Sequence, residues 1–177
     1  DNHEGIVCDD DYFGYNVGTA GGSNWVRHTM SHEVGHYLNL AHPWGSSNSP
    51  GDEDEDEDGI PDNCMIDDDV EDTPLTFGVE NSNCPDAQAS CDGTLDNVQN
   101  IMDYSNCALM FTNGQKDRTH AALNSNAGGR KFLWQENNLW NTGVHDDYEV
   151  VTCSPIPDFT SNTQSGCSNV TVFFEEI

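Results

Sequence analysis

The sequence predicts a mixed domain of α and β elements organised around one helix that ends in a histidine cluster. Three observations carry that expectation. An apolar spacing of four sets a helix over about residues 24–38, and a histidine cluster straddles its end. A long stretch without regular periodicity follows and holds Cys64, Cys84, Cys91 and Cys107. The last residues turn Ser/Thr-rich and then alternate as TVFF, which reads as β-structure.

Taken in order, residues 5–13, GIVCDDDYF, begin as a β-type run, and GTAGGSN (18–24) is a Gly-rich connection. Val26, Met30, Val34 and Leu38 then share one helical face, with Ser23 or Asn24 placed to cap its start. Residues 43–63 read as loop. Between Asp52 and Asp72 stand thirteen acidic residues and no basic one. From Cys64 to Cys107 periodicity is weak, and so long an irregular stretch calls for staples or metal. A second helix is expected from Thr112 or Asn113 to Leu123, ended by NAGG (126–129), with residues 130–140 helical as well. A linker near residues 150–157 separates a domain at 1–150 from a β-segment at 155–177.

Composition narrows the function classes. The 177 residues include 32 Asp and Glu against 5 Lys and Arg, a formal net charge of −27. Such a chain does not bind nucleic acid or an anionic membrane by electrostatics, and it attracts cations. No stretch approaches ~20 apolar residues, so no membrane span is expected. The 4 Trp, 5 Tyr and 7 Phe argue for a packed core instead of a disordered acidic chain. Seven cysteines without a CxxC pair suggest disulfides and an oxidising, extracellular setting. The chain reads as an excerpt of a longer secreted precursor, with Cys8 the odd cysteine. Cys153 and Cys167 are close enough in sequence to be paired.

The chemistry concentrates in HEVGHYLNLAH, residues 32–42. On a helix, His32 and His36 project from the same face one turn apart and can grip one zinc ion. Glu33 projects beside them, where a carboxylate serves as general base towards an attacking water. His42 is the candidate third ligand. A continuous helix would carry it about 9 Å further along the axis, at ~1.5 Å per residue. The helix must therefore stop and turn back. That requires a residue tolerant of left-handed backbone, and Asn39 stands at the bend. A bare HExxH also occurs on solvated helix faces; His42 at this distance is what singles out a metal site. His28, one turn before His32, is assigned outside the ligand set.

With those residues in place, HEVGHYLNLAH resembles the extended zinc signature HExxHxxGxxH of the metzincin metallopeptidases, departing only at Asn39. NIMDYSN (100–106) resembles their Met-turn, with Met102 beneath the metal and Tyr104 near it. HEVGHYLNLAHPWG, VEDTP, NIMDYSNCALMFTNGQ and AALNSNAGGR together resemble the pappalysin, or cytophagalysin, family over roughly residues 5–145. The resemblance implies an α/β zincin-type catalytic fold, of which this chain carries the end of the upper subdomain and an irregular lower one. It implies zinc held by His32, His36 and His42, Glu33 as base, Met102 as floor, and Tyr104 as hydrogen-bond donor to the oxyanion. It also implies the disulfides Cys64–Cys91 and Cys84–Cys107. PDFTSNTQSGCSNVTVFF resembles the first strands of a PKD-type β-sandwich.

Calcium is the second expected ion. Asp54, Asp56, Asp58, the Ile60 carbonyl and Asp62 repeat the oxygen spacing of calcium loops, with Gly59 at the turn. A solvated acidic loop would look the same. DDDVEDT (67–73) resembles the pappalysin calcium site, with Asp68, the Glu71 carbonyl and Thr73 as ligands. The function expected from all this is a secreted zinc endopeptidase acting on protein or peptide substrates. The reading from another class is a calcium-dependent adhesion module with an inactive protease-like domain. Against it, no ligand or base position is substituted.

Overall fold

The computed structural model describes residues 5–16, 18–147, 159–161 and 174–176. It contains a unit ending at Trp134 and a unit beginning at Gln135. In the first, helix α1 spans Asn24–Tyr37. Ser23, not Asn24, caps it, accepting from the Val26 N–H, and the Asn106 side chain takes the Trp25 N–H at 3.1 Å. Helix α2 spans Asn113–Leu123. Thr112 caps it in a capping box: its hydroxyl accepts from the Gln115 N–H while the Gln115 side chain accepts from the Thr112 N–H.

Two expectations are corrected. No strand forms among the described residues of 5–13; Asp10–Tyr12 is a 3-10 turn instead. Asp9 bonds the Asp11 N–H, a local bond that competes with strand pairing. Residues 130–140 are not one helix either. Ala127–Phe132 is a 3-10 turn with Gly128 and Gly129 in left-handed backbone. Helix α3 begins only at Glu136, in the second unit, and ends at Thr142 with Gly143 at φ +73°.

The second unit also holds an antiparallel pair, β1 (Phe159–Ser161) and β2 (Phe174–Glu176), with Phe159 opposite Glu176 and Ser161 opposite Phe174. That pair is the sheet structure found among the described residues. The expected Cys153–Cys167 bond lies outside the described residues.

The core of the first unit is small and unusually polar. Among its described residues ten apolar side chains besides Pro43 are buried, including Val26, Leu40, Trp44, Val70, Val79 and Met102. Twelve polar or charged ones are buried too, so hydrogen bonding must match burial in holding this fold. Asp96 illustrates it: one carboxylate accepts from Thr76, Gln88, and both the hydroxyl and N–H of Ser90. The irregular region carries two disulfides, Cys64–Cys91 and Cys84–Cys107, the pairs the resemblance implies. Cys8 is free.

Candidate active site

The site begins where α1 ends. Asn39 adopts φ +72°. Its N–H bonds the His36 carbonyl at 2.9 Å, and the Leu40 N–H reaches back to the Gly35 carbonyl at 3.0 Å. These two bonds are a Schellman closure with Asn in the left-handed position where Gly is commoner. The bend reverses the chain and also orients a ligand: the Leu40 carbonyl accepts from His36 Nδ1 at 2.8 Å.

Three imidazoles now meet. His32, His36 and His42 each offer a ring nitrogen, all within 4.8 Å of one another. Every Nδ1 is committed to a backbone carbonyl: His32 to Ile101 at 2.8 Å, His36 to Leu40, and His42 to Ser47 at 2.7 Å. A carbonyl only accepts, so each Nδ1 carries a proton, and in a neutral ring Nε2 is then left with a lone pair. His36 Nε2 and His42 Nε2 stand 3.1 Å apart. Two acceptors that close repel, and a cation between them removes the conflict. Burial lowers the pKa of His32 and pushes His42 down to about 3, with His36 and His32 adding to the fall at His42. The His32 and His42 rings are therefore neutral at physiological pH, the state that ligates metal. The donor set fits zinc, which takes three neutral imidazoles plus an open position in hydrolytic sites.

Around them, Glu33 shares a cleft of about 310 Å³ with Trp25, Thr29, His32, His36, Asn48 and Tyr104. Positions 25, 29, 32, 33 and 36 lie on one helical face, which is why α1 alone supplies most of the lining. Met102 is 0% exposed. A Cβ built on Gly35 would collide with its Sδ, so glycine there lets the thioether pack under the helix. Tyr104 packs edge-on to Trp25, with ring centroids 5.3 Å apart, and 4.9 Å from His42. Burial, then the charge of Glu33, raises its pKa and keeps the phenol protonated.

Several residues here were not predicted. Trp44, fully buried, stacks on His42 at 4.7 Å and 8°, and its indole N–H shares the Ser47 carbonyl with His42. Arg130 donates to the Tyr37 carbonyl and lies over the Tyr37 ring, fastening the end of α1. Asn100 and Gln115 pair through their amides beneath the Met102 turn. Only Gln115 left a trace in the sequence, as the fourth residue of the capping pattern Thr112-x-x-Gln115. His28 is not among the clustered nitrogens.

The predicted calcium residues fall into two groups. Asp54, Asp56 and Asp58 bring carboxylate oxygens within 4.8 Å of one another. Their oxygens already accept the N–H groups of Asp58, Gly59 and Ile60. Asp62 bonds the Glu55 N–H instead. The second group is buried. The Thr73 hydroxyl lies 2.9 and 3.0 Å from the two Asp68 oxygens and 2.7 Å from the Val70 carbonyl. One hydroxyl proton cannot serve three acceptors. Burial pushes Asp68 up to about 7, against the hydrogen bonds from Thr73 and Val70. Glu71 is exposed. Arg118 of α2 donates to the Asp68 and Asp69 carbonyls.

Comparison with known proteins places this arrangement. A family profile described as pregnancy-associated plasma protein-A matches residues 9–124, well over half of the chain. An extracellular metalloprotease of Arthroderma otae is 38% identical over 93 residues, covering 51% of this chain and 29% of that protein. One from Verticillium alfalfae is 34% identical over 113 residues, covering 61% and 31%. The chain thus spans about three-tenths of the length of these relatives. Among solved structures, mature mirolysin of Tannerella forsythia in complex with a cleaved peptide is similar. Its TM-score is 0.50 at 28% identity, covering 68% of this chain and 42% of that one. By the extent of the profile match, this chain belongs to the pappalysin family of metallopeptidases.

Proposed function

We propose that the chain carries the zinc centre of a secreted endopeptidase that hydrolyses peptide bonds in protein or peptide substrates. The observation that carries this reading is the convergence of three Nε2 lone pairs, each fixed by a backbone carbonyl, beside Glu33 in one cleft. His32, His36 and His42 would hold the ion. Zinc, when bound, supplies a Lewis acid that polarises the scissile carbonyl and acidifies water. Glu33 takes a proton from the attacking water and passes it to the amide nitrogen as the C–N bond breaks. The protonated Tyr104 hydroxyl donates to the developing oxyanion. Met102 fills the floor below the ligands. The disulfides and the extracellular naming of the fungal relatives support secretion.

The test uses the full-length protein on a peptide substrate. Glu33→Ala is expected to lower kcat/KM by at least about a hundredfold, the scale of general-base catalysis, with zinc content intact. A chelator is expected to abolish cleavage. Cleavage that survives either change would overturn the reading.

Two further assignments belong to the same proposal. Calcium is held by the Asp54–Asp58 loop and, separately, by Asp68 and Thr73 with the Glu71 carbonyl; the gathering of Asp68, Thr73 and Val70 oxygens supports the second. Residues 1–150 are catalytic, and 155–177 begin a PKD-type β-sandwich, a reading supported by the antiparallel β1–β2 pair.

A further inference from the structure

We propose that Gln115, on α2, is a positioning residue for the histidine cluster, acting through Asn100. The inference rests on the reading of His32, His36 and His42 as metal ligands. Asn100 and Gln115 are each 0% exposed. Their amides form a reciprocal pair: Asn100 Nδ2 donates to Gln115 Oε1 at 3.0 Å, and Gln115 Nε2 to Asn100 Oδ1 at 3.2 Å. Neither oxygen stops there. Asn100 Oδ1 also accepts the Met102 N–H at 2.9 Å, and Gln115 Oε1 the Thr112 N–H at 3.0 Å. The Asn100 carbonyl accepts the Asp103 N–H, closing the turn over residues 100–103.

The two amides therefore weld the start of α2 to the turn that carries Ile101 and Met102. Those two residues face the histidine helix. The Ile101 carbonyl holds His32 Nδ1, and Met102 Sδ fills the gap opposite Gly35. The hydrogen bonds of the Gln115 side chain run to Asn100 and Thr112, yet through them it fixes the turn from which a carbonyl selects the His32 tautomer and ring angle. A primary amide suits the task because it donates and accepts at once. In a fully buried position, loss of either partner strands the other's polar atoms. Partners behind metal ligands commonly alter affinity by roughly tenfold to a hundredfold when changed.

The test compares Gln115→Met, which keeps volume but deletes the amide, with Ala122→Gly, which weakens the same helix without touching the pair. Zinc affinity is measured by competition with a chelating dye, and ligand geometry by the visible absorption of the cobalt(II)-loaded protein. Gln115→Met is expected to weaken zinc by about tenfold or more and shift the cobalt bands. Ala122→Gly is expected to leave both near wild type. Should Gln115→Met not fold, Gln115→Glu, which keeps the shape and the Oε1 acceptor, replaces it in the same comparison. A Gln115 variant with wild-type affinity and bands overturns the inference, as do equal losses in both helix variants. Wild-type protein that binds no zinc overturns the ligand assignment itself, and this inference with it.

Discussion

Asn39 holds left-handed backbone that most side chains resist, and the site depends on it. Its φ of +72° lets the Leu40 N–H and carbonyl both turn back onto α1, which sets His36 and returns His42. Asn39→Gly is therefore expected to keep zinc affinity and fold at least as stably. Asn39→Val is expected to lose about 1–3 kcal/mol, the cost of such strain, and to weaken zinc. Denaturant unfolding with zinc competition checks both, and equal affinities would show that the bend does not rely on this residue. Asp103 is the second telling residue. Burial pushes its carboxyl up from 3.8 to about 7, although Val79 and Ser105 donate to it. Below 3.8 folded and unfolded chains both keep the proton. As pH rises towards 7 the unfolded chain releases it first, so this residue makes folding less favourable. The stability of Asp103→Asn relative to wild type should rise over that window in the metal-free protein. A pH-independent difference in unfolding midpoints would contradict this.

At the scale of elements, the two helices were legible because periodicity and caps are local signals. The α1 face of His32, Glu33 and His36 follows from helical spacing, and His42 follows from the need for a bend. The Met102 turn was legible only through resemblance, since its partners lie on other elements. Trp44 and Asn100 were not legible at all: a stacking contact and a buried amide pair leave no period in the sequence. Residues 5–13 misled because an apolar start was outweighed by Asp side chains that bond their own backbone. The irregular region 43–107 forms no helix or strand beyond short turns, and its order comes from two disulfides and buried carboxylates. Calcium is the proposed third constraint there. Limited proteolysis should cut residues 52–107 faster after calcium is withdrawn, and Asp68→Asn should cut fast with calcium present. Unchanged digestion patterns would remove calcium from the account.

For the molecule as a whole, a charge of −27, with about as many buried polar as apolar side chains among the described residues, leaves little stability to spare. Cross-links supply part of what packing does not, and the proposed cations would add to it. α2 gathers these constraints. It reaches the Asp68–Asp72 loop through Arg118 and Gly114, and the Met102 turn through Gln115. The proposed zinc centre is then the point where α1, the bend at Asn39, the Met102 turn and the Ser47 carbonyl all converge. The most direct test of that claim is the zinc K-edge absorption spectrum of the protein loaded with one equivalent of zinc. Three imidazole ligands are predicted, falling to two in His42→Ala. Fewer than three in the wild type, or a spectrum unchanged by His42→Ala, would contradict the account.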